Sequence, residues 1–269
     1  MDEREEVFMI FKDKVCVITG GALGIGRCLT REFAKAGAKV AFIDFNKEAG
    51  EENLAAIEKA GGEALFFHGD IAEESTLRTF VKEVIQAYGK VDYLINNAML
   101  SRQGILKPCS YDEFNYVLRV GITAPYMLTL LFLPYFNEGA SIVNISSSRA
   151  FMSQANTESY TAAKGGITAL THALAVSLAG RVRVNSIAPG WIDTGAYHED
   201  NYQPQYSEAD LKQHPSHRIG DPMDIARAVF FLCDERNSFI NGENLTIDGG
   251  MTKRMIYTGD EGWEYHPIK

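Results

Sequence analysis

The sequence predicts an α/β fold: a single-domain, doubly wound parallel sheet of seven strands with helices on both faces. Three observations carry this prediction. Short apolar runs alternate with helical patterns along the chain. The first run ends in a glycine-rich turn that opens directly into a helix, and 269 residues are enough to bury such a sheet in one domain. Strands are expected near 14–19, 39–44, 64–68, 91–95, 141–146, 182–187 and 244–247. Helices are expected over about 24–37, 47–60, 74–88, 111–136, 158–179 and 222–234, joined by right-handed crossovers.

The first strand, Lys14 to Thr19, runs into Gly20-Gly21-Ala22-Leu23-Gly24-Ile25-Gly26, and Leu29, Phe33 and Ala36 follow at helical spacing. Glycines let a backbone approach a pyrophosphate closely, and a helix N-terminus offers it free N–H groups. The second strand ends in Asp44, where an acid can accept hydrogen bonds from an adenosine ribose. Together they predict a dinucleotide site of the Rossmann type. Asp44 would repel a 2′-phosphate and the next residue is Phe45 rather than an arginine, so the expected cofactor is NAD(H).

The third strand leads to Gly69-Asp70-Ile71 and the fourth to Asn96-Asn97-Ala98-Met99. The fifth delivers Ser146-Ser147-Ser148, the sixth Ala188-Pro189-Gly190, and the seventh precedes Asp248-Gly249-Gly250. Within the helix expected over 158–179, Tyr160 and Lys164 stand four apart and so share a face. A phenol titrates near pH 10, and a cation beside it favours the phenolate and brings the group toward working pH.

Thr19-Gly20-x-x-x-Gly24-x-Gly26 and Tyr160-x-x-x-Lys164, with these ordered landmarks, resemble the short-chain dehydrogenase/reductase family over nearly the whole chain. The resemblance implies a catalytic triad of Ser147, Tyr160 and Lys164, with Ser147 thirteen residues before the tyrosine. It implies cofactor contacts at Gly20, Leu23, Gly24, Ile25, Gly26, Asp44 and Phe45, then at Asp70, Ile71, Asn97 and Ala98. Tyr160, Lys164, Pro189, Gly190, Ile192 and Thr194 would meet the nicotinamide half. The implied reaction moves a hydride between the nicotinamide and a carbonyl or carbinol carbon, while Tyr160 handles the proton. The family also implies a homodimer or homotetramer, formed through the helices that contain the apolar stretch Tyr126 to Phe136.

Two positions depart from the family pattern. Met99 replaces a glycine, and Gly121 stands where an asparagine usually helps to hold a water near the lysine. A triad rather than a tetrad is therefore expected, with a water held by main-chain groups beside Gly121.

Composition narrows the partners. With 26 basic against 35 acidic residues the net charge is −9 and the pI about 5.2, which disfavours nucleic acid and an acidic carrier protein. A small-molecule substrate is expected. Cys16, Cys28, Cys109 and Cys233 form no Cys-x-x-Cys, so free thiols in a reducing compartment are expected, and His68 and His172 lack metal-ligand spacing. The acidic start Met1-Asp2-Glu3-Arg4-Glu5-Glu6 is unlike a signal peptide, and Tyr126 to Phe136 is shorter than a membrane span. A cytoplasmic protein without a membrane partner is the expectation. Residues 1–13 read as an N-terminal extension with the apolar run Val7 to Phe11, 14–250 as the catalytic domain, and 251–269 as a C-terminal tail.

Candidate substrate contacts are Met99, Arg149, Trp191 and Tyr197, with a variable loop over about 195–221. Its Tyr197, Tyr202, Tyr206 and histidines, and the tail's Trp263, Tyr265 and His266, suit a large, partly apolar ligand carrying hydroxyls or ketones. The combination resembles bacterial hydroxysteroid dehydrogenases, including the 20β type. A polyol or sugar dehydrogenase is the alternative. From a different class, an NAD-binding sensor or scaffold without turnover finds its support in Gly121.

Overall fold

The computed structural model describes residues 11–199 and 201–254. Seven parallel strands form one sheet in the order β3-β2-β1-β4-β5-β6-β7. They are β1 (Val15–Thr19), β2 (Lys39–Asp44), β3 (Glu63–His68), β4 (Val91–Asn96), β5 (Phe136–Ile145), β6 (Arg183–Pro189) and β7 (Asn244–Ile247). The helices are α1 (Gly24–Lys35), α2 (Lys47–Lys59), α3 (Glu74–Tyr88), α4 (Tyr111–Leu118), α5 (Ala124–Phe132), α6 (Glu158–Ser177), α7 (Glu208–Lys212) and α8 (Pro222–Cys233). Chain order reverses between β1 and β4, and a crevice opens beyond their C-terminal ends, the usual ligand position in such sheets.

The central strands read as continuous apolar runs because both faces are covered. Side chains alternate: Cys16 and Ile18 point into a core with Leu29, Phe33 and Val229, while Val15 and Val17 join Leu77, Phe80, Leu128 and Phe132 on the other face. Of the expected N-terminal extension only residues 11–13 are described. Phe11 is buried, its ring 4.9 Å from Phe33, 4.8 Å from Phe230 and 5.4 Å from Tyr93. The rest of the apolar run from Val7, and the tail from Met255 with Trp263, Tyr265 and His266, lie outside the described residues.

The helix expected over 111–136 is interrupted. Between α4 and α5 the chain makes one π turn, Arg119–Thr123, in which the Ala124 N–H donates to the Arg119 carbonyl. Pro125 explains the break: it has no N–H for the Gly121 carbonyl four residues back, and its ring would collide there. The whole run Tyr111–Tyr135 is long and apolar enough to cross a membrane by length and composition, longer than a count from Tyr126 suggests. In this fold its Val117, Val120, Ala124, Leu128 and Phe132 are buried within the protein, while Tyr126 and Leu130 are exposed. A short helix, α7, lies in the variable loop; its signal was the capping pair Ser207 and Asp210.

Candidate active site

A cleft of about 390 Å³ opens over β1 and β4. Its floor is the glycine turn, where Gly20 and Gly24 adopt φ +66° and +56°. A Cβ on Gly20 would lie 2.8 Å from the Ala98 Cα, and one on Gly26 would lie 1.8 Å from the Gly20 carbonyl oxygen, so the turn tolerates only glycine. Asn97 ties this turn to β4: its Nδ2 donates to the Thr19 and Gly20 carbonyls, both at 3.0 Å. The N-cap of α1, Leu23, makes no side-chain cap, and the first turn of that helix holds no acid. Its terminal N–H groups therefore face the cleft without a side-chain acceptor, which suits a pyrophosphate.

Asp44 lines one end of the cleft. It is nearly buried; Oδ2 accepts from the Ala22 N–H at 3.0 Å and Oδ1 from the Asn46 N–H at 2.9 Å. Phe45 beside it is exposed at the cleft edge. Asp70 accepts from the Ala72 N–H and from the Tyr116 phenol at 2.8 Å, and burial together with this carboxylate pushes Tyr116 up to about 12. Tyr116, Leu100, Val120 and His198 also line the cleft. Nothing in local sequence marked them, because Tyr116 meets Asp70 across 46 positions.

At the end of β5, Ser147 accepts from the Arg149 N–H at 3.1 Å, and its hydroxyl acts on the Tyr160 phenol to lower it. Lys164 is buried, its Nζ 5.6 Å from the Tyr160 ring centroid and donating to the Ile145 carbonyl at 2.6 Å. The Arg149 guanidinium carbon lies 5.3 Å from the same ring. Burial holds the Tyr160 phenol above its ordinary value, while Ser147 and Arg149 pull it down. Arg149 is the cation that lowers the Tyr160 phenol, while Lys164 stands beside the same ring. Burial drops Lys164 itself from 10.5 to about 7.

That shift has a pH signature. Between pH 7 and 10.5 the unfolded chain binds a proton at Lys164 that the folded chain does not, so this residue's destabilising contribution is fully present below pH 7 and fades as pH rises through that window. The size is on the order of a few kcal/mol. Lys164→Met should therefore raise the melting temperature, relative to the wild type, more at pH 6 than at pH 9.5. A constant difference across that range in scanning calorimetry would show that Lys164 keeps its charge in the fold.

The two family departures meet in space. A Cβ on Gly121 would lie 2.9 Å from the Met99 Sδ and 2.9 Å from the Ala163 Cβ. The methionine thioether thus packs over the position a side chain at residue 121 would use. A polarizable apolar group therefore holds the place that an asparagine side chain at residue 121 would take.

The remaining candidates divide. Met99 and Thr194 line the cleft, as do Leu23, Ile25, Ile71 and Ala98. Pro189 ends β6 paired with Ile247, and Gly190 abuts Asp248 so closely that a Cβ there would lie 2.6 Å from the Asp248 Cβ. Trp191 and Ile192 line a separate hollow of about 140 Å³ with Gly220 and Asp248. Tyr197 packs against the core beside the Cys28 thiol instead of lining the cleft. All four cysteines are free.

Comparisons with known proteins agree with this geometry. A family model described as Enoyl-(Acyl carrier protein) reductase matches residues 20–252. An uncharacterized oxidoreductase of Thermotoga maritima is 39% identical over 254 residues, covering 92% of this chain and 99% of its own. The structure of an apo SCOR enzyme from Clostridium thermocellum superposes with TM-score 0.83 at 41% identity, over 94% of this chain and 98% of that one. A short chain dehydrogenase from Burkholderia cenocepacia in complex with NADP has TM-score 0.81 at 30% identity, over 90% of this chain and 99% of that one. Alignment along nine-tenths of the chain, over the same sheet, leaves one assignment: the chain belongs to the short-chain dehydrogenase/reductase family of nicotinamide-dependent oxidoreductases.

Proposed function

We propose that the chain is an NAD(H)-dependent oxidoreductase that interconverts a secondary alcohol and a ketone on a bulky, apolar small molecule. The observation that carries this reading is the convergence of Ser147, Tyr160 and buried Lys164, with the Lys164 Nζ 5.6 Å from the Tyr160 ring, on the fold whose crevice suits a dinucleotide. When bound, the nicotinamide ring would give or take a hydride at the substrate carbon. The glycine turn, Asp44, Asp70 and Asn97 would hold the adenosine and pyrophosphate half. Lys164, Pro189, Gly190, Ile192 and Thr194 would hold the other half. Ser147 donates to the substrate oxygen, and Tyr160 gives or takes the proton at that atom. A steroid side-chain ketone, as in a 20β-hydroxysteroid dehydrogenase, is the first substrate to test, because Phe151 and Met152 leave apolar surface on the loop between Ser147 and Tyr160. The net charge of −9 disfavours an acyl carrier protein as the bearer of the ketone.

Preference for NAD rests on charge. No lysine or arginine lines the cleft among the described residues, Asp44 stands at its adenosine end, and Arg27 is buried and donates to the Ala22 carbonyl and to Glu52. NADH should exceed NADPH in kcat/KM by about tenfold or more, and Asp44→Asn, which removes the repulsion and keeps one acceptor, should narrow the gap. Steady-state kinetics with both cofactors decides this; equal use by the wild type defeats the assignment.

A further inference from the structure

We propose that Asn156 is a positioning residue that folds the β4–α4 loop onto the start of α6 and thereby presents Ile105 and Leu106 as an apolar rim for the substrate's distal part. This rests on the alcohol–ketone reading for its ligand, and on geometry for the clamp itself.

The Asn156 Oδ1 accepts from three main-chain N–H groups, Gly104 at 3.0 Å and Leu106 and Lys107 at 3.1 Å each. Its Nδ2 donates to the Gln103 Oε1 at 2.7 Å, and the Glu158 carboxylate accepts from the Ile105 N–H at 3.1 Å. The Asn156 carboxamide gathers four residues, Gln103, Gly104, Leu106 and Lys107, and Glu158 holds the fifth, Ile105, between them. Asn156 is held at φ +66°, a conformation asparagine tolerates better than most residues. Gly104 is buried in the contact, and a Cβ there would lie 1.6 Å from the Glu158 Oε2, so the loop can sit this closely only through glycine. Tyr160 follows Asn156 by one turn of chain. The clamp therefore fixes the loop against the element that carries the proton donor.

The loop's side chains show what the clamp is for. Ile105 is 79% and Leu106 73% exposed, although their main chains are pinned. Phe151 and Met152, on the segment that leads from Ser147 to Asn156, are exposed as well. Two loops at the C-terminal end of the sheet, joined at Asn156 four residues ahead of Tyr160, thus turn four large apolar groups toward solvent. Apolar side chains held rigidly in water favour an apolar ligand, because the ordering cost is already met before binding.

The test uses the full chain. Asn156→Gly keeps the backbone conformation and removes the acceptor, whereas Asn156→Asp keeps an acceptor. Hydrogen exchange should show the Gly104, Leu106 and Lys107 amides protected in the wild type and in Asn156→Asp, and exposed in Asn156→Gly. With NAD+ loaded to form a complex without turnover, calorimetric affinity for undecan-2-one should fall about tenfold or more in Asn156→Gly and in Ile105→Ser/Leu106→Ser. Affinity for butan-2-one and for NAD+ should stay within about twofold, since neither reaches the rim. Unchanged amide protection in Asn156→Gly overturns the clamp, and so does the same loss in Asn156→Asp. Unchanged undecan-2-one affinity in the Ile105→Ser/Leu106→Ser variant overturns the rim. If no ketone is reduced by any form, the proposed activity fails, and the exchange data still judge the clamp.

Discussion

Tyr160→Phe is expected to lower turnover by about 10²–10⁴-fold while NADH binding is largely kept. The ring stays and only the oxygen leaves, so the packing of half-buried Tyr160 beside Lys164 and Arg149 survives. What disappears is the proton carried at that oxygen. Loss of a positioned general acid should appear in kcat, with cofactor affinity read independently from NADH fluorescence. Near-wild-type turnover would place the proton transfer on another group. A loss of NADH binding equal to the loss of rate would mean that the residue shapes the cofactor site instead.

Gly121→Asn is the second large effect, and the direction opposes a simple repair of the family pattern. The new Cβ would meet Met99 Sδ and Ala163 Cβ at 2.9 Å. The methionine can swing away, but Ala163 is part of the α6 backbone and precedes Lys164. Relief must therefore come partly from moving the helix that carries the amine. Overpacking of this kind costs about 1–3 kcal/mol, and a shift of about 1 Å at a reacting group can cost 10²-fold in rate. The expected result is a melting temperature lower by several degrees and a rate loss of about 10²-fold, with part of both restored in the Met99→Gly/Gly121→Asn pair. If the single variant is as active and as stable as the wild type, the space over Gly121 is open and the thioether does not fill it.

The sheet was legible because each central strand is buried on both faces and so reads as an apolar run, and because the glycine turn and Asp44 stand at fixed offsets from β1 and β2. Ser147, Tyr160 and Lys164, which the fold brings near one another, were legible by their spacing. The break in the long helix was written in Pro125 and was missed by treating the apolar run as one element. Contacts between distant loops left no trace of that kind: Met99 over Gly121, Tyr116 on Asp70 and Asn156 under residues 104–107 are separated by 22 to 52 positions with no periodicity to connect them. Tyr197 misled for a related reason. A tyrosine in a variable loop suggests a ligand, yet its neighbour Cys28 comes from α1, and only the folded chain brings the two together.

Asp44 carries a consequence for descent. Its carboxylate anchors the Ala22 and Asn46 amides while it also lines the end of the cleft where the proposed dinucleotide would lie. A lineage drifting toward the phosphorylated cofactor could not simply discard this residue, because the glycine turn would lose its tether in the same step. The shift would first require a substitute acceptor for both amides, so intermediates along the route would be poorly folded before they were useful. Residue 44 is thereby tied to the turn it supports, and the two are inherited together.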